Sequence, residues 1–255
     1  MRQERHIEGT DLHCHILPGI DDGAPDLEAA EALLLTQKEQ GIRQILFTPH
    51  FYANQMELDS FLRRRYKSAV QIAGFCASRE IAGALGAEVR MEPELLELEL
   101  KPLALADTPY LLLEWPFVGY PLWGKEVVRR VFDAGLRPVF AHIERYDYFW
   151  EKPENLRGYI AEGVLCQMNA STVLRRSTRK QALHLIREGY VHVLASDTHS
   201  MKHRPPQLGE AFQVIRDKLG VAVEQRLREN ADLVFRGADL CVPVPQNKRS
   251  FWPHL

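Results

Sequence analysis

Short apolar runs alternate with amphipathic stretches along nearly the whole chain. The runs Gly9 to His13, Gln44 to Thr48, Ala82 to Glu88, Tyr110 to Trp115, Pro138 to His142, Val164 to Met168 and His192 to Ser196 predict buried strands. Between most of them, apolar positions recur three and four residues apart. That spacing predicts helices over Asp26 to Gln40, Gln55 to Arg79, Leu122 to Ala134, Pro153 to Glu162, Thr178 to Glu188 and Gln207 to Lys218. Gly41, Gly135, Gly163 and Gly189 each fall just past a helical stretch and lead into the next strand, the helix-ending use of glycine. Repeated strand–helix units call for an α/β fold with a parallel sheet, open or closed into a barrel, and with ligands gathered at the carboxyl ends of the strands. No low-complexity linker interrupts the pattern, so one domain is expected over residues 1–255. Residues 242–255 contain Pro243, Pro245 and Pro253 and lack periodicity, which leaves a loose tail or an extended strap.

Composition narrows the class without naming a chemistry. At 255 residues the chain has the length of a single α/β barrel domain, and 45% hydrophobic with 26% charged residues is ordinary globular usage. A net charge of −2 gives no support to a nucleic-acid binder. Arg63-Arg64-Arg65 is a local basic spot that reads as a solvated helix face, with docking of an acidic tail as the sharper alternative. No apolar run approaches the ~20 residues that span a bilayer, and Met1 to Glu8 is charged rather than signal-like, so no membrane insertion and a cytoplasmic location are expected. Cys14, Cys76, Cys166 and Cys241 are widely scattered and read as reduced thiols.

The chemistry is concentrated in Asp11-Leu12-His13-Cys14-His15. Two residues apart on a strand, His13 and His15 point to the same face and can present nitrogens to one point, while Cys14 faces the other way. Other acids and imidazoles fall at strand ends: His50, Glu88, Glu114, His142, Asp197 and His199, with Asp21-Asp22-Gly23 in the loop after His15. One such residue is more often a hydrogen-bonded strand end than a ligand. A parallel sheet brings all these ends to one side, and carboxylates gathered there repel one another unless cations compensate them. Mixed imidazole and carboxylate donors suit Mn²⁺, Fe²⁺ or Zn²⁺ rather than Ca²⁺ or a thiolate zinc site. Arg145 and Arg204 lie on loops leaving the same ends, where a guanidinium fork can clamp a phosphate. Other hydrolytic patterns fail. Gly119 to Glu126 lacks the Ser or Thr of a nucleotide P-loop, none of the cysteines is followed six residues later by arginine, and no G-x-S-x-G elbow is present.

In order along the chain, DLHCHILPGIDDG, TPH at Thr48 to His50, GAE at Gly86 to Glu88, LLLEWPF at Leu111 to Phe117, PVFAHIERY at Pro138 to Tyr146 and ASDTHSMKHRPP at Ala195 to Pro206 resemble the polymerase and histidinol phosphatase (PHP) superfamily. Within it they look most like the CpsB/YwqE branch of manganese-dependent protein-tyrosine phosphatases of bacterial capsule and exopolysaccharide systems. The resemblance implies a distorted seven-stranded (βα) TIM-like barrel of the PHP type. It implies three Mn²⁺ ions, with Fe²⁺, Zn²⁺ or Mg²⁺ able to fill some sites. His13, His15, Glu114 and Asp197 would hold one, Glu88, Glu114 and His142 a second with Glu114 bridging, and Asp22, His50 and His199 the third, while Arg145 and Arg204 would bind phosphate. Cys14 stands where the family commonly has Ser, and Ile143 where proline is usual; neither change removes a ligand. The activity implied is hydrolysis of phosphotyrosine on a protein by a metal-activated hydroxide, and the implied partner is a bacterial tyrosine autokinase. Two other readings stay open on the residues alone: a PHP phosphoesterase for a small molecule such as histidinol phosphate, and a non-catalytic metal-stabilised phosphoprotein adaptor. A homo-oligomer is compatible with the sequence, which does not identify the general acid.

Overall fold

The structure, a computed structural model, describes residues 9–246. In chain order its elements are β1 (Gly9–Cys14), α1 (Leu27–Glu39), β2 (Ile42–Phe47), β3 (His50–Phe51), α2 (Leu58–Ser78), β4 (Ala82–Leu85), β5 (Glu88–Arg90), β6 (Tyr110–Glu114), α3 (Gly124–Asp133), β7 (Arg137–Phe140), α4 (Asp147–Trp150), α5 (Arg157–Ala161), β8 (Leu165–Asn169), α6 (Ala170–Leu174), α7 (Arg176–Arg187), β9 (Val193–Ala195), α8 (Leu208–Leu219) and α9 (Val221–Phe235). Every pairing between these strands is parallel, as strand–helix alternation demands. The order is β1-β2-β4 in one sheet and β3-β5-β6-β7-β8-β9 in the other. Backbone bonds run on between the two, from Gly86 N to Phe47 O at 2.8 Å and from Glu88 N to Pro49 O at 3.1 Å. At the far side, Asp197 N–H donates to His13 O and His15 N–H to Thr198 O, both at 2.9 Å. The parallel sheet is therefore curled, and the residues after β9 bond to the end of β1.

The predicted third strand, Ala82 to Glu88, is divided. β4 pairs with β2, whereas Glu88 pairs with His50 and Leu112. Between the two segments the Leu85 carbonyl is taken by Ala106 N–H rather than by β6, so the chain changes neighbours at Gly86. α9 was not predicted either. Its inward face includes buried Glu224 and Asn230, which blur the apolar period. Arg216 and Arg228 pair with Glu224, and Asn230 donates to His192 O at 2.8 Å.

A large apolar cluster packs the helices onto the sheet, and a smaller one joins Leu12, Leu46, Leu112, Val139, Leu165 and Val193 to Ala231 and Val234 of α9. Asp11 braces the junction of β1 and β9 from within: its buried carboxylate accepts from Ser196 N at 2.9 Å and from Gln37 of α1. Arg63 alone of the basic triplet is a plain solvated residue. Arg64, also exposed, donates to Ile20 O at 2.8 Å, and half-buried Arg65 donates to Gly86 O at 2.8 Å and Pro102 O at 3.0 Å, so two residues of this largely solvated face also hold loops. Of the stretch expected to form a tail, Val242 packs against both apolar clusters, and residues 247–255 lie outside the described residues.

Candidate metal centre

All nine predicted ligands converge. His13 and His15 leave the end of β1 on one side, with Cys14 turned into the core, where its thiol donates to Leu46 O at 3.3 Å. Glu88 opens β5, Glu114 closes β6, and His142 and Asp197 sit two residues past β7 and β9. Both of these last two residues take left-handed backbone, φ 28° at His142 and 50° at Asp197. Non-glycine residues carry a cost of about 1–3 kcal/mol there, a strain characteristic of functional sites.

Glu88 is the hub. Its Oε2 lies 2.9 Å from His50 Nδ1, 3.2 Å from His15 Nε2 and 3.3 Å from His13 Nε2, and its Oε1 lies 2.7 Å from His142 Nε2. Asp197 Oδ1 lies 3.6 Å from His13 Nε2, and Asp22 Oδ1 lies 3.3 Å from both His50 Nε2 and His199 Nε2. Donor atoms within 4.8 Å of one another form the groups His15, Asp22, His50, His199; His13, His15, Glu88; and His50, Glu88, Glu114. The resemblance implied that Glu114 bridges two sets. In the structure Glu88 is the carboxylate that reaches both, while Glu114 comes no nearer than 3.7 Å to His142 Nε2 among its ion pairs.

The outer nitrogens of these rings are held from behind. His15 Nδ1–H donates to Asp21 Oδ2 at 2.8 Å, and His199 Nδ1–H to Asp197 O at 2.9 Å. Gln167 Oε1 accepts from His142 N–H at 2.7 Å, so it faces His13 Nδ1, 3.2 Å away, as an acceptor. His142 Nδ1 lies 3.1 Å from the Tyr146 hydroxyl. Fixing Nδ1 in this way leaves Nε2 lone pairs pointing inward, the arrangement that orients metal-ligating imidazoles. Asp21, Gln167 and Tyr146 were not among the predicted site residues. Asp21 stood beside Asp22 in the motif, whereas nothing local marks Gln167 or Tyr146.

Carboxylates and imidazoles perturb one another strongly here: Asp22, Glu88 and Asp197 are held below the usual carboxylate range by neighbouring imidazoles, and burial depresses His142 and His199. Burial opposes charge on His13 and His50, yet Glu88 with Asp197 raises the first to about 9, and Asp22 with Glu88 raises the second to about 11. Burial, then Glu88, pushes Glu114 up to about 7. Glu88 Oε2, His50 Nδ1 and His199 Nε2 are buried without a hydrogen-bond partner, despite the short distances around them. Buried donors this close, with lone pairs converging and no hydrogen bond formed, fit the donor set of divalent cations. On the open side, Arg204 reaches Asp22 at 2.9 Å and Asp197 at 3.5 Å, and Arg145 reaches Asp197 at 3.7 Å while lying 4.6 Å over the Phe117 ring.

A curled parallel sheet clothed in helices, with imidazoles and carboxylates gathered where its strands end, defines an α/β protein of barrel-like type with a candidate metal centre. The chain belongs to the capsular polysaccharide synthesis family CpsB/CapC, whose model matches residues 9–236. It is 30% identical to the tyrosine-protein phosphatase YwqE of Bacillus subtilis over 92% of this chain and 95% of that protein. It is also 30% identical to the tyrosine-protein phosphatase CpsB of Streptococcus pneumoniae, over 85% of this chain and 93% of that one. A crystal structure from a study of YwqE and CpsB, described there as metal-dependent tyrosine phosphatases, superposes with a TM-score of 0.83 at 27% identity and covers 93% of this chain. A lactonase from Listeria monocytogenes shares only the fold, at a TM-score of 0.55 and 10% identity.

Proposed function

We propose that this chain is a metal-dependent phosphatase that hydrolyses phosphotyrosine on protein. The observation that carries the reading is Glu88 Oε2, buried without a hydrogen bond among three imidazoles, beside two arginines facing the open side. In this reading three ions, Mn²⁺ by preference, would be held by His13, His15, Glu88 and Asp197; by Glu88, Glu114 and His142; and by Asp22, His50 and His199. Bound divalent ions supply Lewis acidity to phosphoryl oxygens and make a water acidic enough to attack near neutral pH. Arg145 and Arg204 orient the phosphoryl group and offset charge that grows on its oxygens. Phe117, 42% exposed and stacked 6.1 Å from His142, offers an aromatic wall to a phenyl group. A phenolate leaving group, with a pKa near ~10, asks little of a general acid.

The finer architecture belongs to the same proposal: one domain whose curled sheet is a distorted seven-stranded barrel, with β2 and β3, and β4 and β5, each counting as one broken strand. No helix among the described residues is long and apolar enough to cross a membrane, which fits action in the cytoplasm. The protein substrate in this proposal is a tyrosine autokinase of capsule or exopolysaccharide synthesis, in keeping with relatives named tyrosine-protein phosphatases in a capsular polysaccharide synthesis family. The direct test is phosphate release from a phosphotyrosine peptide and from an amino-alcohol phosphate, with Mn²⁺ and after exhaustive chelation. Mn²⁺-dependent turnover that favours the peptide is expected. Full activity after chelation, or preference for the amino-alcohol phosphate, overturns the proposal.

A further inference from the structure

Beside Asp197 opens a cavity of about 380 Å³, of which the chemistry above uses only one wall. Arg145, Asp197 and Arg204 form the wall it shares with the metal centre, and Arg175, His203 and Trp150 are among the other residues that line it. Its basic groups divide by occupation. Arg145 and Arg204 already face Asp197, whereas among the described residues the side chains of Arg175 and His203 make no hydrogen bond or ion pair. The acidic wall is only partly compensated: Glu144 Oε2 is buried without a hydrogen-bond partner, and burial raises that carboxyl to about 7, which lowers its negative charge near neutral pH. Asp197 has those two arginines, and Glu144 Oε1 accepts from Asn169 N and Thr172 Oγ1, both at 3.0 Å. Arg175 is held in place by its backbone: it stands at the joint of α6 and α7, with extended φ −72° and ψ 125°, and its carbonyl accepts from Arg179 N at 2.9 Å. An exposed guanidinium carried on this anchored backbone, lining the cavity without a carboxylate partner, is complementary to an incoming anion.

We propose that this cavity is a second anion subsite, which takes a carboxylate or phosphoryl group on a residue near the phosphotyrosine of the same peptide. The proposal rests on the phosphatase reading and specifies its substrates as acidic or multiply phosphorylated segments. The volume lies at the small end of ligand pockets and suits one side chain. Arg175 and His203 there are specificity residues, separate from the arginines at the reacting phosphoryl group.

The test measures affinity rather than turnover. Non-hydrolysable phosphonate analogues of phosphotyrosine are placed in three peptides, with neutral neighbours, with a glutamate neighbour and with a second phosphonate. Each is titrated into the Mn²⁺-loaded full chain, its R175Q variant and, as a control for net charge, R176Q, whose exposed residue does not line the cavity. The native chain is expected to bind an anionic-neighbour peptide about tenfold more tightly than the neutral one, a ratio that falls to within about twofold in R175Q and persists in R176Q. A gain confined to the second phosphonate assigns the subsite to phosphoryl groups, and an equal gain with glutamate assigns it to anions in general. Equal affinities on the native chain, or equal loss of the ratio in R175Q and R176Q, overturn the subsite. Failure to hydrolyse the neutral phosphotyrosine peptide would instead overturn the phosphatase reading, while the affinity ratio still decides the subsite.

Discussion

Asp21 shows how much a single side chain can settle at this centre. Its carboxylate accepts from His15 Nδ1 at 2.8 Å, from His50 N at 3.1 Å and from Gly23 N at 3.0 Å, so it fixes one ring, one backbone and its own loop. An asparagine keeps the shape but loses one acceptor. Asp21→Asn is therefore expected to weaken Mn²⁺ binding by about 10–100-fold, read by loss of the free-ion electron paramagnetic resonance signal on titration. Affinity equal to that of the native chain would show that His15 needs no such support. Residue types alone pointed to eight of the inward donors, because histidines and acids stand out against apolar strand ends, and the ordered motifs of the resemblance added Asp22. They did not disclose which carboxylate is shared, since the choice of Glu88 over Glu114 depends on how the rings and the carboxylate turn, and no spacing records that.

The elements around the centre were legible where apolar periodicity is clean. Asp26 caps α1, accepting from Ala29 N at 2.9 Å, as the predicted helix start required. Legibility failed where polar groups are buried, as in α9, and where a strand changes partners, as at Gly86. Gly23 makes the loop of Asp21 and Asp22 a tight element: a Cβ there would stand 1.9 Å from His15 O. Gly23→Ala is expected to cost about 2–3 kcal/mol in urea unfolding and to lower metal content, whereas Gly74→Ala in α2, where a Cβ meets nothing within 4 Å, should gain about 0.5–1 kcal/mol. The link between β8 and β9 carries a pH signature. His192 Nδ1 accepts from Cys166 N–H at 2.8 Å, and burial, then Arg226 and Arg137, depress the imidazole to about 3. The unfolded chain takes up that proton near pH 6.5 and the folded chain does not. Stability from this group is thus present above pH 6.5 and is lost as pH falls towards 3, at about 1.4 kcal/mol per pH unit. In His192→Asn, whose Oδ1 can still accept from Cys166, the decline of unfolding free energy between pH 6.5 and 4.5 should be shallower by that amount. An unchanged slope would show that the ring is not held neutral.

At the scale of the whole molecule, the curl of the sheet ties stability to metal. It gathers Asp22, Glu88, Glu114 and Asp197 around five imidazoles, and the edges meet through Asp197 N to His13 O and His15 N to Thr198 O, bonds made by the candidate ligands' own backbone. Without metal ions the carboxylates repel one another, and the relief comes from protonated imidazoles and, at Asp22 and Asp197, from Arg145 and Arg204. Ions that bind the folded chain and not the unfolded one add about 2.7 kcal/mol for each site at a free concentration one hundredfold above Kd. For a chain of this size one kilocalorie per mole moves the melting temperature by about 2–4 °C, so a single filled site predicts a rise of about 5–11 °C. The expected outcome is a melting temperature that drops on chelation and recovers stepwise as Mn²⁺ is returned, together with phosphatase activity. The recovery should shrink in Glu88→Gln more than in Glu114→Gln, because Glu88 touches four imidazoles and Glu114 sits at the margin of the group. A melting temperature indifferent to chelation and Mn²⁺ would mean that the cluster is satisfied by protons alone, and the metal reading of this centre would fail with it.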